Sequence, residues 1–232
     1  MKRLPIGIQS FKNLRSQDYL YVDKTREIYR MITSGKMFFL SYPRRFGKSL
    51  LLSTLEEIFK GNKDLFQDLY VYDKIDRTKQ SPVICIDFGS MSYRTTQALS
   101  DSLHLLLNTY FDQYNIERIE APLDTKFQAM IAKLHQATGE KVVVLIDEYD
   151  KPIIDNLNQP ELADEIRIFL HDFYQVLKGS DEHLCFVFLT GVSKFAKVSV
   201  FSGLNNLRDI TLSYDYATIC GYTQEELEFY FD

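Results

Sequence analysis

Apolar positions along this chain fall into two rhythms. Met37–Leu40, Val83–Phe88, Lys141–Ile146 and Leu184–Leu189 are short, nearly continuous apolar runs. Runs of that length without alternation predict strands covered on both faces, as in a parallel sheet between helix layers. Between them the apolar residues recur at helical spacing, over Arg26–Ile32 (Ile28, Met31 and Ile32 on one side), Leu50–Phe59, Thr96–Tyr114, Lys126–Ala137 and Leu162–Leu177. Asp23 or Thr25 caps the first of these. Gly61-Asn62 marks a turn, and Arg208–Leu212 predicts a fifth strand. Strands alternating with helices predict a three-layer α/β/α sandwich around a mostly parallel central sheet. No internal repeat or low-complexity linker interrupts it. We expect an N-terminal extension packed on the core over 1–30, the core over 31–220, and the start of a helical lid over 221–232. In that last segment Thr223-x-x-Glu226 is a capping box that opens a helix of about two turns, too short to stand without packing partners.

Two of the predicted strands end in residues that suit phosphate. Met37–Leu40 runs into Ser41-Tyr42-Pro43-Arg44-Arg45-Phe46-Gly47-Lys48-Ser49-Leu50, and a helix follows. Strand, loop, Gly-Lys-Ser and helix is the layout of a P-loop. The helix start offers unpaired N–H groups and partial positive charge. Gly47 lets the backbone approach the ligand, Lys48 reaches the β- and γ-phosphates, and Ser49 is a ligand for Mg²⁺. The usual pattern has Gly five residues before Gly47; here Tyr42 stands there, with Pro43 for stiffness and Arg44 and Arg45 for charge. Lys141–Ile146 runs into Asp147 and Glu148. Carboxylates at the C-terminal end of such a strand sit where open α/β sheets bind ligands. Asp147 is the candidate second Mg²⁺ ligand, and Glu148 the base that activates water. Alone, Gly-Lys-Ser also fits a turn before a basic helix start, and the acid pair fits a solvated turn; together they favour a nucleotide site.

Other candidates keep two readings. Thr190 or Ser193, after the fourth strand, touches the γ-phosphate or attacking water, or belongs to a plain turn. Asp150 supports Mg²⁺ or caps the next segment. Tyr21–Thr25 lies near the base, or is an edge strand with a helix cap. Arg208 would be an arginine finger in a ring assembly, though no assembly signal is legible. Lys194 and Lys197 read as solvated.

Composition narrows the classes. The chain has 232 residues, 45% apolar and 14% aromatic, which supports a substantial core in one large domain. No apolar run approaches the ~20 residues of a membrane helix, and Met-Lys-Arg-Leu-Pro lacks a signal-like core, so a cytoplasmic location is expected. Cys85, Cys185 and Cys220 show no metal spacing; Cys85 and Cys185 are expected as buried free thiols, and the four histidines show no ligand spacing either. The net charge of −5 argues against nucleic acid as a partner of this domain.

The stretches Leu4–Phe11, Tyr21–Thr25, Pro43–Ser49, Ile146–Pro152, Leu189–Phe195, Ser202–Leu207 and Asp209–Thr211 resemble the AAA-ATPase-like family. This is a P-loop NTPase group usually found ahead of a nuclease-like domain. Pro-Arg-Arg-Phe-Gly-Lys-Ser is the most specific piece, and the family itself lacks the first P-loop glycine. The resemblance implies nucleotide binding, ATP rather than GTP, with a homo-oligomer and a C-terminal nuclease-like domain as candidate partners. No Asn-Lys-x-Asp guanine-reading motif is present. The expected function is Mg²⁺-dependent ATP binding with hydrolysis, slow in the absence of a lid. In the alternative, the domain is a nucleotide-gated binding module with little turnover. The cofactors expected are ATP and Mg²⁺.

Overall fold

The computed structural model describes residues 2–76, 78–193, 200, 201, 204 and 206–231. Lys194 and Lys197, and the family-resembling Phe195, Ser202, Gly203 and Asn205, lie outside them. Five strands form one sheet: β1 Met37–Ser41, β2 Val83–Asp87, β3 Val142–Asp147, β4 Leu184–Gly191 and β5 Arg208–Asp209. Their order is β2-β3-β4-β1-β5, and every pairing is parallel. The connections that parallel strands require are helical. They include α3 (Lys48–Phe59), α4 (Thr96–Gln113), α5 (Leu123–Thr138), the short α6 (Lys151–Ile154) and α7 (Pro160–Gly179). Two helices precede the sheet, α1 (Phe11–Ser16) and α2 (Thr25–Ser34), and α8 (Gln224–Phe231) follows it.

The unbroken apolar runs have the expected consequence. All residues of β1 and β3 are buried, and successive side chains go to opposite faces. Val142, Val144 and Ile146 join Leu103, Met130 and Leu170 in a core beneath α4, α5 and α7. Val143 and Leu145 join Phe11, Ile28, Leu51 and Leu55 in a second core beneath α1, α2 and α3. The sheet thus lies between two helix layers.

The N-terminal segment is tied to the α3 layer by specific contacts. Phe11 stacks on Phe66 at 4.7 Å and donates its N–H to Ser53 Oγ at 2.9 Å. Asp23, rather than Thr25, secures the start of α2: its Oδ1 accepts the Thr25 N–H and hydroxyl, and its Oδ2 accepts the Tyr70 N–H.

The fifth strand is shorter than the apolar pattern over Arg208–Leu212 suggests. Only Arg208 and Asp209 pair, with Phe38 and Phe39. Beyond Ile210 the Thr211 hydroxyl takes over as acceptor for the Ser41 N–H (3.0 Å), and a Ser213-to-Ile210 turn leads the chain away. All three cysteines are free, but Cys85 and Cys185 are only partly buried, and Cys220 is the buried one. Both partly buried thiols pack against the core on the α3 side, Cys85 from the outermost strand and Cys185 from the start of β4. Among the described residues, no helix is long and apolar enough to cross a membrane.

Candidate functional site

The C-terminal ends of β1, β3 and β4 lie side by side, because β4 is threaded between the other two. The register places Leu40 beside Thr190 and Ser41 beside Gly191, with Ile146 beside Leu189. Residues far apart in sequence therefore converge at one edge of the sheet.

From β1 the chain turns through Tyr42–Phe46 into α3. The rings of Tyr42 and Phe46 stack in parallel across the loop, 5.6 Å between centroids. Tyr42, standing where the usual pattern has glycine, thus braces the loop by ring packing. Gly47 is the N-cap of α3 at φ +90°, a left-handed conformation suited to glycine. Among the described residues no side chain caps the helix, and its first N–H groups are the kind that suit an anionic ligand. Lys48 is buried, and its Nζ donates to the carbonyls of Tyr42 (2.9 Å) and Pro43 (3.0 Å). Burial lowers its pKa, while Asp147 and Glu148 nearby pull it back up. The ammonium thus rests on the loop's own carbonyls.

Asp147, the last residue of β3, gathers the site. Its Oδ2 accepts the Ser49 hydroxyl at 2.5 Å, and its Oδ1 accepts the Thr190 hydroxyl and, at 3.1 Å, the Glu148 N–H. Glu148 sits at φ +54°, an uncommon conformation for a non-glycine residue. Burial, then the charge of Asp147, raises its pKa above the usual carboxylate range. A cavity of about 550 Å³ opens beside it, lined by Ser49, Ser53, Glu56, Asp87, Asp147 and Glu148 among others.

The remaining candidates separate. Pro43, Arg44, Arg45 and Phe46 are exposed, and Leu50 is partly buried. Arg44 leans on Asp155 at 3.5 Å; that carboxylate also takes Lys151 Nζ and Tyr93 Oη, each at 2.6 Å. Arg45 stands at φ +67° on the loop. Asp150 is fully buried and accepts the backbone N–H groups of Val192 and Ser193. Arg208 lies over the rings of Phe38 and Tyr216. Its strand partner Phe38 is three positions before Ser41, roughly 10 Å back along β1 from the loop.

Asp87 joins this region without having been singled out in the sequence, and Lys24, inside the candidate stretch Tyr21–Thr25, gains a partner that the sequence did not suggest. Asp87 ends β2 directly opposite Asp147; a carboxylate closing an apolar run was its signal. Lys24 is buried and binds Glu226 of α8 through both carboxylate oxygens, a pairing across the length of the chain that local pattern does not reveal.

The donor chemistry fits the expected ligands. Mg²⁺ takes oxygen ligands, keeps several waters, and is usually held by one or two protein groups together with phosphate. The Ser49 hydroxyl and the Asp147 carboxylate, in contact at a helix N-terminus, are such a pair. Among the described residues, no group of three or more His, Cys, Asp or Glu side chains could hold a metal unaided.

A family profile described as a predicted AAA-ATPase matches residues 5–201. The chain is also 48% identical over 228 residues to an uncharacterised protein from the vnfD 5' region of Azotobacter chroococcum mcd 1. That alignment takes in 98% of this chain and 44% of the relative, so the chain spans less than half the relative's length.

Proposed function

This chain belongs to the predicted AAA-ATPase family, and from that premise we propose that it binds ATP with Mg²⁺ and hydrolyses the γ-phosphate. The observation that carries the reading is the contact of Ser49 and Thr190 with one carboxylate, Asp147, at the mouth of the Gly47-Lys48 loop. In this reading Lys48 exchanges the Tyr42 and Pro43 carbonyls for phosphate oxygens and stabilises their charge as it grows. The N–H groups that open α3 hold the same phosphates. Ser49 and Asp147 would hold Mg²⁺, which would supply neutralisation of phosphate charge. Glu148 accepts a proton from the attacking water, and Thr190 orients the water or the γ-phosphate. Pro43 to Phe46 and Leu50 shape the loop around the nucleotide.

A nucleotide-gated module with little turnover would use the same residues. The resting contact of Lys48 with the loop carbonyls suits such a switch, and steady-state turnover of the purified chain separates the two. A second copy of the chain and a nuclease-like domain are the partners that the family resemblance brings to this proposal, together with a cytoplasmic setting. We read 1–30 as an extension packed on the core and 221–232 as the beginning of a lid.

The test is thermal. MgATP at about 100-fold above its Kd should stabilise the chain by roughly 2.7 kcal/mol. For a domain of this size that is a rise of about 5–10 °C in Tm. Lys48→Ala should abolish the rise. An unchanged Tm for the parental chain in millimolar MgATP would refute the proposal.

A further inference from the structure

Asp150 presents an arrangement that nucleotide binding alone does not explain. Its side chain is fully buried, and among the described residues no cation pairs with it. Burying a carboxylate without a counter-ion is costly unless hydrogen bonds compensate. Here they come from successive backbone N–H groups: Val192 donates at 3.2 and 3.1 Å to the two oxygens, and Ser193 donates at 2.6 Å to Oδ2. Successive N–H groups of this kind form a nest, a concavity suited to an anion. In this molecule the anion is the protein's own side chain. The same turn is held a second time, by Tyr149, whose hydroxyl donates to the Ser193 carbonyl at 2.8 Å and whose N–H donates to the Thr190 carbonyl at 2.9 Å. The space between is closed to any side chain at position 191. A Cβ on Gly191 would lie 2.3 Å from the Tyr149 ring and 2.8 Å from Asp150 Oδ1.

We propose that Asp150 is a positioning residue that locks the turn 190–193 onto the Asp147–Glu148 turn, and so fixes Thr190 against Asp147 for the hydrolytic step. The inference rests on the ATPase reading for its catalytic consequence, and on geometry alone for the lock. Asp147 and Asp150 leave the same turn in opposite roles. Asp147 faces the Ser49 hydroxyl, whereas Asp150 faces the backbone after β4. Removing the carboxylate frees two N–H groups and loosens the turn, which Tyr149 then holds alone, while leaving Lys48, Ser49 and Asp147 in place.

Asp150→Ala and Asp150→Asn test this. Hydrogen exchange at the Val192 and Ser193 amides reads the lock without nucleotide. Charge-assisted hydrogen bonds of this kind correspond to roughly ten- to a hundred-fold in protection. Asp150→Ala should lose about that much. Asp150→Asn, which keeps one acceptor oxygen, should lose less and still fold should the alanine variant fail to. In single-turnover assays with MgATP both variants should keep the parental Kd within about threefold while hydrolysis slows by roughly ten-fold or more. Parental protection of both amides in Asp150→Asn and Asp150→Ala would overturn the lock, as would an unchanged hydrolysis rate. Loss of rate and of MgATP affinity together would reduce Asp150 to a general structural role and overturn the proposal as well. Failure of the parental chain itself to bind MgATP refutes the ATPase reading instead, and with it the catalytic consequence drawn here; the exchange measurement then decides the lock.

Discussion

Lys24 and Glu226 are 202 positions apart and form a nearly buried ion pair, with side-chain exposures of 10% and 22% and contacts of 2.6 and 2.5 Å to the two carboxylate oxygens. Glu226 also accepts the Thr223 N–H at 2.8 Å, closing the capping box that starts α8. Glu226→Ala leaves the ammonium buried without its acceptor. Breaking a buried pair from one side costs roughly 3–5 kcal/mol, and the residual water contact of Glu226 argues for the lower end, about 3. At about 2–4 °C per kcal/mol for a chain of this length, Tm should fall by roughly 6–12 °C if α8 melts with the core. No residue of α8 is fully buried, so the helix can also detach by itself, and exchange at the amides of 224–231 reads that event. Replacing both partners by apolar residues, Lys24→Met with Glu226→Leu, removes the stranded charge and should restore most of the loss. The double-mutant cycle should therefore show a coupling of at least ~1.5 kcal/mol, in Tm-derived stability or in exchange. Additivity within ~0.5 kcal/mol in both readouts would show that the pair holds nothing, and that α8 is kept in place by other contacts.

Further outcomes follow from the site. Arg44 already engages Asp155 in an exposed pair, so Arg44→Ala should leave the MgATP Kd within about threefold. Arg45→Ala, which removes a charge carried on the loop itself, should raise it by roughly ten-fold; titration calorimetry of the two variants checks the contrast. Glu148→Gln should keep MgATP binding and lose hydrolysis, since the amide fills the space without accepting a proton. With the Glu148 pKa raised by burial, and the base active only when ionised, the rate should climb with pH through a value above 4.5; a rate flat from pH 4.5 to 8 would reassign the base. Gly191→Ala forces a methyl into the Tyr149 ring and should destabilise the chain by roughly 1–3 kcal/mol, measured by urea unfolding.

What the sequence made legible is what local periodicity and short spacing encode. The continuous runs at 37–40 and 142–146 became fully buried strands because a strand between two helix layers has no solvent face on which to alternate. Gly47-Lys48-Ser49 fell at a strand-to-helix junction because glycine, lysine and serine each answer a local demand of that turn. The fifth strand was overestimated at its far end because Thr211 satisfies the β1 backbone by its side chain, an exchange that an apolar pattern does not show. Asp150 was read as a Mg²⁺ support or a cap, and Lys24 only as part of Tyr21–Thr25, because their partners lie 42 and 202 positions away. A charge met in sequence reads as solvated until the fold shows that it is covered.

Those two buried charges mark where the fold constrains the candidate site from outside it. Lys24 ties the segment before α2 to α8. Gly221, just ahead of that helix, faces Phe46 closely enough that a Cβ there would touch the ring at 3.5 Å, and that ring stacks on Tyr42 across the phosphate loop. Asp150 ties the far side of the same site, the turn after β4, to the acidic turn after β3. The loop carrying Lys48 is therefore framed by one contact chain that starts at an ion pair and another that starts at a carboxylate held, among the described residues, by the backbone of Val192 and Ser193. An exposed pair can be made and broken at little cost, whereas freeing Asp150 strands a carboxylate away from water, and opening the Lys24 pair takes α8 away from the core with Glu226. While α8 stays docked, movement of the site should accordingly be confined to what lies between the two frames, namely the Lys48 ammonium leaving the Tyr42 and Pro43 carbonyls and the Glu148 side chain leaving its strained turn.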